Sequence, residues 1–305
     1  MVSIGLSSGA LARVRFAVSP LWETIASIRV LRDPGAHAVH LPWAARRRGL
    51  RFPALFALVA PSPGYIPDFL TPTPPGPFAE LDEELHALAA TPPDVAAAQA
   101  ALIGAGPPDP PRLAEEVRAY FDAALAPDWP RIRTLLESEI FARARLLAAD
   151  GVGGLLNDLH AQVTFADGTL SVLQRWCTAD DVPDGGDLVL IPSVFVWPSV
   201  LTVFGVEAQL AYPPRGVGAL WESPPAAPEA LGALLGRARA RLLTELSAPA
   251  STTTLAERTG LTAGGVSQHL AVLRAAGLVR THRAGRSVLN VRTPTADALL
   301  SASRH

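Results

Sequence analysis

Residues 252–291 read TTTLAERTGLTAGGVSQHLAVLRAAGLVRTHRAGRSVLNV, and the order of signals in this stretch decides how the C-terminal part of the chain folds. Thr262 is a good N-cap residue, because its hydroxyl can satisfy a free amide at a helix start. Val266, Leu270 and Leu273 follow at i, i+4 and i+7, one buried stripe of a helix that Gly277 terminates. At about 100° per residue the opposite face carries Gly264, Gln268, Ala271 and Ala275, with Ser267 to one side and His269 towards the other.

A shorter helix precedes it, with Leu255, Ala256 and Leu261 turned inward and Gly260 making the turn. A hairpin follows, from Leu278 to His282, through Ala284-Gly285, then from Ser287 to Val291. Helix, turn, helix and basic-tipped hairpin, in that order, spell a winged helix-turn-helix, whose natural partner is double-stranded DNA. Gln268 carries the donor–acceptor pair that matches an adenine edge, and Ser267 can reach a base or a phosphate. Arg280, Arg283 and Arg286 cluster on the hairpin, where guanidinium groups clamp phosphates or enter the minor groove. The expected DNA-contacting set is Thr262, Gly264, Ser267, Gln268, His269, Arg274, Arg280, Arg283 and Arg286.

Charge points the same way. Residues 229–305 hold ten arginines against four acidic residues, a net of +6, whereas residues 1–228 hold sixteen arginines against twenty-four, a net of −8. The overall −2 therefore hides a basic module on an acidic body, the electrostatic footprint of phosphate binding.

The segment SQHLAVLRAAGLVRTHRAGRSVLNV resembles the recognition helix and wing of ArsR-type winged-helix repressors, with the likeness spanning residues 229–300. The resemblance implies DNA-reading roles for Ser267, Gln268 and His269 and backbone roles for Arg283 and Arg286. It also implies a homodimer on an inverted-repeat operator, with residues 229–246 as the leading helix that helps build the dimer interface. The Gly264-Gly265 pair departs from the family, which has better helix formers there. Each interior glycine costs up to about 1 kcal/mol relative to alanine. Either the first turn is loose until DNA binds, or the backbone must approach the duplex closely.

Metal sensing of the ArsR kind is not expected. Cys177 is the sole cysteine, and a lone thiol cannot close a thiolate site or form a disulfide switch. His37 and His40 are spaced for one helix face, but no further ligands stand near them in sequence, although His86 or His160 could approach in three dimensions.

At 305 residues the chain implies two domains, with a boundary near 226 in the linker PPRGVGALWESPPAAP, residues 213–228: an N-terminal domain at 1–226 and the winged helix at 227–305. A hydrophobic share of 49% against 18% charged residues fits a globular protein with a sizeable core. No apolar run reaches the roughly 18 residues of a membrane span, and the N-terminus is too broken for a signal peptide, so a cytoplasmic location is expected.

The expected fold class is α+β, a mainly helical N-terminal domain with a small, mostly antiparallel sheet. Ser19-Pro20 opens a helix, the region ahead of the proline tract 60–77 reads as helical, and helices are expected at 78–90, 93–103, 111–125 and 130–148. In the last, Ile132, Leu135, Leu136, Ile140 and Leu147 point inward and the arginines and glutamates outward. Strands are expected at 162–165, 169–173, 188–191, 201–204 and 206–211, with Asp167-Gly168 as a hairpin turn. The pieces SPLWETIASIRVLRDP, HAVHLPW, IPDFLTPTP, GGLLNDLH, IPSVFVWP and AYPPRGVGALWE resemble a domain without assigned chemistry that precedes ArsR-type winged helices in high-GC, actinobacterial-type bacteria.

No catalytic set is expected. GVGG at 151–154 follows a helix, not a strand, and reads as a cap and turn instead of a phosphate loop. Asp158 and His160 lack a nucleophile motif, and Asp82-Glu83-Glu84 reads as a solvated helix start. Trp22, Trp43, Trp129, Trp176, Trp197, Trp221, Phe195, Phe204 and Tyr212 either fill a core or line an effector pocket. Arg46-Arg47-Arg48 reads as a solvated helix end, an anion site, or a second phosphate contact. The expectation is thus a dimeric, DNA-binding transcriptional regulator without cofactor, metal or catalysis, whose N-terminal domain dimerises, senses a small molecule, or both. The alternative is a small-molecule-binding or enzymatic N-terminal domain whose winged helix serves oligomerisation.

Overall fold

A computed structural model describes residues 2–61, 64–173, 182, 186–203, 207–221, 229–284 and 287–302, with the backbone alone at 229, 230, 283, 284, 287, 301 and 302. Trp176, Cys177, Phe204, the Gly285-Arg286 turn and the boundary expected near 226 lie outside the described residues. The chain divides into two compact units, residues 1–221 and 222–305. The architecture is α+β.

In the first unit the order is β1 (Val2–Gly5), α1 (Ser8–Ala12), β2 (Val14–Phe16), α2 (Pro20–Arg32), α3 (Leu41–Ala45), α4 (Pro53–Leu58), α5 (Leu81–Ala89), α6 (Pro93–Ala101), α7 (Pro110–Ala124) and α8 (Trp129–Asn157). β3 (Val163–Ala166), β4 (Thr169–Val172), β5 (Leu188–Pro192), β6 (Leu201–Val203) and β7 (Ala208–Tyr212) complete it. Two sheets form, in the orders β1-β4-β3 and β2-β5-β7-β6. The first is antiparallel throughout, and its β3–β4 turn uses Asp167 (φ 50) and Gly168 (φ 76), the paired left-handed residues a tight hairpin demands.

The second sheet is mixed: β5 runs parallel to β2 and β7, and β6 pairs antiparallel on the edge. Every residue of β5 and β7 is buried, as central parallel strands require. Val189 and Ile191 enter a core shared with the helices, while Leu188 and Leu190 enter a second core with β1, β3, β4 and the end of α8. The mixed sheet is therefore a middle layer, helices on one face and the antiparallel sheet on the other.

Several expectations needed correction. The segment ahead of the proline tract is not helical throughout: β1 and β2 pair with β4 and β5, partners some 170 positions away whose pairing overrides weak local signals. The glycine run at 151–154 does mark a helix break, since Gly151 (φ 70, ψ −176) leaves the helical conformation within α8, but helix resumes beyond it to Asn157, past the end expected at 148. On the same helix Glu139 and Arg143 are buried, not outward. Their side chains pair at 2.5 Å, Arg143 also meets Asp158, and the Arg215 amide donates to Glu139 at 3.2 Å, so both charges are internally satisfied.

The supposed solvated acidic start of α5 also hides a buried member. Asp82 and Glu83 are exposed, but Glu84 accepts bonds from the Ser19 hydroxyl (2.5 Å) and the Leu21 amide (2.9 Å), while Ser19 Oγ caps the Trp22 amide at 2.9 Å. Two carboxyl-and-hydroxyl acceptors thus satisfy the start of α2, which is buried from Pro20 to Val30 and has no solvent to do so. In the basic run, Arg47 is likewise buried: it donates to the Ala124 carbonyl at 2.8 Å, pairs with Asp128 and lies over the Trp43 ring at 5.1 Å. Arg46 and Arg48 are exposed.

The second unit runs α9 (Glu229–Leu235), α10 (Arg237–Glu245), α11 (Thr252–Thr259), α12 (Ala263–Ala275), β8 (Val279–Ala284), β9 (Ser287–Arg292) and α13 (Pro294–Ala302). The leading helix expected over 229–246 is broken by Gly236 at φ 84. Ala250 adds a third, one-residue rung by exchanging both backbone bonds with Asn290, at 3.0 and 2.8 Å, and receives the Asn290 side-chain amide at 3.2 Å. Leu242, Leu243, Leu255, Val266, Leu270, Leu273 and Val279 build the core. Ala256 and Leu261, expected to be buried, are half-buried at its margin.

Burial pushes the Glu23 carboxyl up to about 8, although the Val194 amide (2.7 Å) donates to it, and pushes Glu84 up to about 7. Burial lowers His40 to about 4. A carboxyl raised above its unfolded value makes folding take up protons, so stability falls as pH rises towards the folded value. His40 has the opposite slope, confined to pH below 6.5. Between pH 6.5 and 8 the carboxyl effect stands alone, and urea unfolding of the chain is expected to show a loss on the order of 2 kcal/mol across it. Glu23→Gln, which keeps an acceptor for the Val194 amide, removes most of that slope; an unchanged slope in the variant contradicts the assignment.

Candidate nucleic-acid interface

α12 is positioned by its cap and its stripe. Thr262 is extended (φ −68, ψ 148) and its Oγ1 accepts the Gly265 amide at 3.1 Å, which satisfies one of the free amides of the first turn. Val266, Leu270 and Leu273 are 0–1% exposed, so their burial fixes which side of the helix faces out. Gly260 at φ 69 ends α11 in the left-handed conformation and makes the turn between the two helices, and Ser251 caps α11 through the Thr254 amide at 3.1 Å.

On the outward side Thr262, Gly264, Ser267, Gln268, Ala271 and Ala275 are exposed. Gln268 is exposed near the middle of this face, with the small residues Gly264, Ala271 and Ala275 to one side and the exposed Val272 to the other. His269 is half-buried beside the core stripe, at the flank and not on the outward face. Arg274 is exposed and its Nη1 donates to Thr281 Oγ1 on β8 at 3.2 Å, tying the end of α12 to the hairpin. Arg280 is exposed on β8. Arg283 stands in register with Val288 across the β8–β9 pair, and Arg286 lies outside the described residues.

Two contributors escaped the sequence reading. Thr281, the anchor of Arg274, is visible only once β8 is laid against α12. His282 is exposed on β8 two residues from Arg280, sharing its face by strand alternation, and a single histidine carries no motif signal.

Several of the polar groups singled out in the first unit are engaged in structure. His37 Nδ1 bonds the Trp197 carbonyl at 2.7 Å. His40 Nδ1 accepts the Trp221 indole N–H at 2.9 Å, so its Nε2–H donates to the Val194 carbonyl at 2.9 Å. Asp158 meets Arg143 and Arg215, while His160 Nδ1 accepts the Gln162 amide at 3.2 Å; the two do not form a pair. Trp43 packs between Phe195 and Trp221, with ring centroids 4.6 and 6.2 Å away, as core and not cavity wall. Among the described residues no group of three or more His, Cys, Asp or Glu is placed to hold a metal ion, and no helix is long and apolar enough to cross a membrane.

The sequence model of a family described as a helix-turn-helix domain matches residues 234–282, which run from the end of α9 through α12 into β8. No curated protein and no solved structure matches the chain. The second unit carries a helix-turn-helix domain, and that domain supports a DNA-binding regulatory role.

The cap is the most exposed element of this scaffold to a single change. Thr262→Ala is expected to lower stability by about 1 kcal/mol in thermal unfolding of the chain, and Thr262→Ser to restore most of it. Equal melting of the alanine variant and the parent would show that the cap bond does not hold α12.

Proposed function

We propose that the chain is a sequence-specific transcriptional regulator of ArsR type, a repressor that binds an inverted-repeat operator in double-stranded DNA as a homodimer. The observation that carries this reading is the outward face of α12, where Gln268 and Ser267 stand exposed on a helix whose opposite side is fully buried. A helix so mounted can enter a major groove, where a glutamine side chain matches the N6/N7 edge of adenine. The surplus of six positive charges in residues 229–305 supplies the phosphate attraction.

Regulation in this reading is not through metal. The first unit is the sensing or dimerising body, it performs no catalysis, and its effector is a small molecule. An effector shifts such a regulator only by binding its DNA-competent and DNA-incompetent states with different affinity. The protein acts in the cytoplasm, where its DNA is.

The test is selection of duplexes from genomic DNA by the purified chain, followed by mobility shift at two salt concentrations. Gln268→Ala or Ser267→Ala is expected to relax base preference by about 1–3 kcal/mol for each base hydrogen bond removed. Arg280→Ala, Arg283→Ala or Arg286→Ala is expected to weaken binding to every sequence and flatten the salt dependence by about one unit of slope. Parental affinity in all five variants would sink the assignment, as would binding with no salt dependence.

A further inference from the structure

The glycine pair at the start of α12 is unfavourable for a helix, since alanine in either place would reduce the conformational freedom lost on folding. The two positions differ in what the domain itself asks of them. At Gly265 a Cβ would stand 3.2 Å from Thr262 Oγ1, the atom that accepts the Gly265 amide, so a side chain there crowds the cap. At Gly264 a Cβ would meet nothing within 4 Å, and the backbone is helical with no left-handed φ to require glycine. The first turn is also formed: the Val266 amide reaches the Thr262 carbonyl at 2.9 Å and the cap bond is made, so a turn left loose for later ordering does not explain the residue. Among the described residues of the domain nothing needs Gly264 to lack a side chain.

We infer that Gly264 is the point of closest approach to the duplex, its bare Cα lying in van der Waals contact with the DNA where a side chain would otherwise stand. The inference rests on the DNA-binding reading and adds to it the position that sets how deeply α12 seats. Gly264 lies on the same helical face as Gln268, Ala271 and Ala275, all exposed, and is the first of them along the helix. In helix-turn-helix domains it is this N-terminal part of the second helix that meets base edges. A methyl at 264 holds the helix away and lengthens the reach asked of Gln268, so Gly264 governs sequence preference without touching a base through a side chain.

The experiment compares the full chain with its Gly264→Ala and Gly264→Leu variants, using duplexes that the wild-type chain selects from a random-sequence pool. Both replacements are better helix formers, so Tm is expected to rise by about 4 °C, which certifies folding. Affinity for the selected duplexes is expected to fall about tenfold or more with alanine and further with leucine. The slope of affinity against salt is expected to stay at the wild-type value, because no cationic group has been removed. A Gly264→Ala chain that melts higher yet binds within about twofold of wild type overturns the inference while leaving the DNA-binding reading intact. A wild-type chain that selects no duplex removes that reading and the inference with it.

Discussion

Three side chains, Val266, Leu270 and Leu273, anchor the second unit. Their burial against Leu242, Leu243, Leu255 and Val279 sets the rotation of α12 about its own axis, and that rotation decides which residues meet solvent. Gln268 and Ser267 are exposed because the stripe is buried; a shift of the stripe by one position would turn the helix by about 100° and carry both off the outward face. The Thr262 cap and the Arg274–Thr281 bond then fix the two ends, one to the preceding turn and one to the hairpin. An interface read by hydrogen bonds tolerates little looseness, so these supports matter as much as the polar residues they present.

The first unit solves a different problem. Its central helix, α2, is buried along eleven consecutive residues, so the free amides at its start have no water. Ser19 and Glu84 fill that need, and Glu23, from inside the same helix, does the equivalent for the amides of Val194 and Phe195 beyond β5. Acidic side chains used in this way sit far from solvent and hold their protons to unusually high pH. Backbone groups likewise engage one ring nitrogen each of His37 and His40. At Glu23 and Glu84 the raised titration follows from burial of carboxyls that serve backbone amides.

A regulator built this way separates its tasks chemically. The arginine surplus and the outward face of α12 lie in the second unit, and the large cores with their internal acid–amide contacts lie in the first. The first unit carries the net negative charge, which keeps its own surface from competing for phosphate.

The sequence alone determined what depends on local periodicity and on residues with one conformational use. The α12 stripe, the Thr262 cap, the Gly260 turn, the Asp167-Gly168 hairpin and the Ser19 start of α2 all follow from neighbours within a turn or two. The outward placement of Ser267 and Gln268 was legible for the same reason. Tertiary structure decided what distant residues impose on each other. β1 and β2 are strands because β4 and β5 offer them open edges, and β7 can run parallel to β5 because the intervening β6, antiparallel to β7, carries the chain back along the sheet. Glu84, Glu139, Arg143 and Arg47 look like surface charges in sequence, and each is buried with a partner from elsewhere in the fold, the Arg215 amide for Glu139 and Asp158 for Arg143 in addition to their own pairing along α8. His269 retreats to the flank of α12, and Gly264 is revealed as unneeded by its own domain, only when the space around each is known. Periodicity is written in consecutive residues, whereas burial and empty space belong to pairs that meet only after folding.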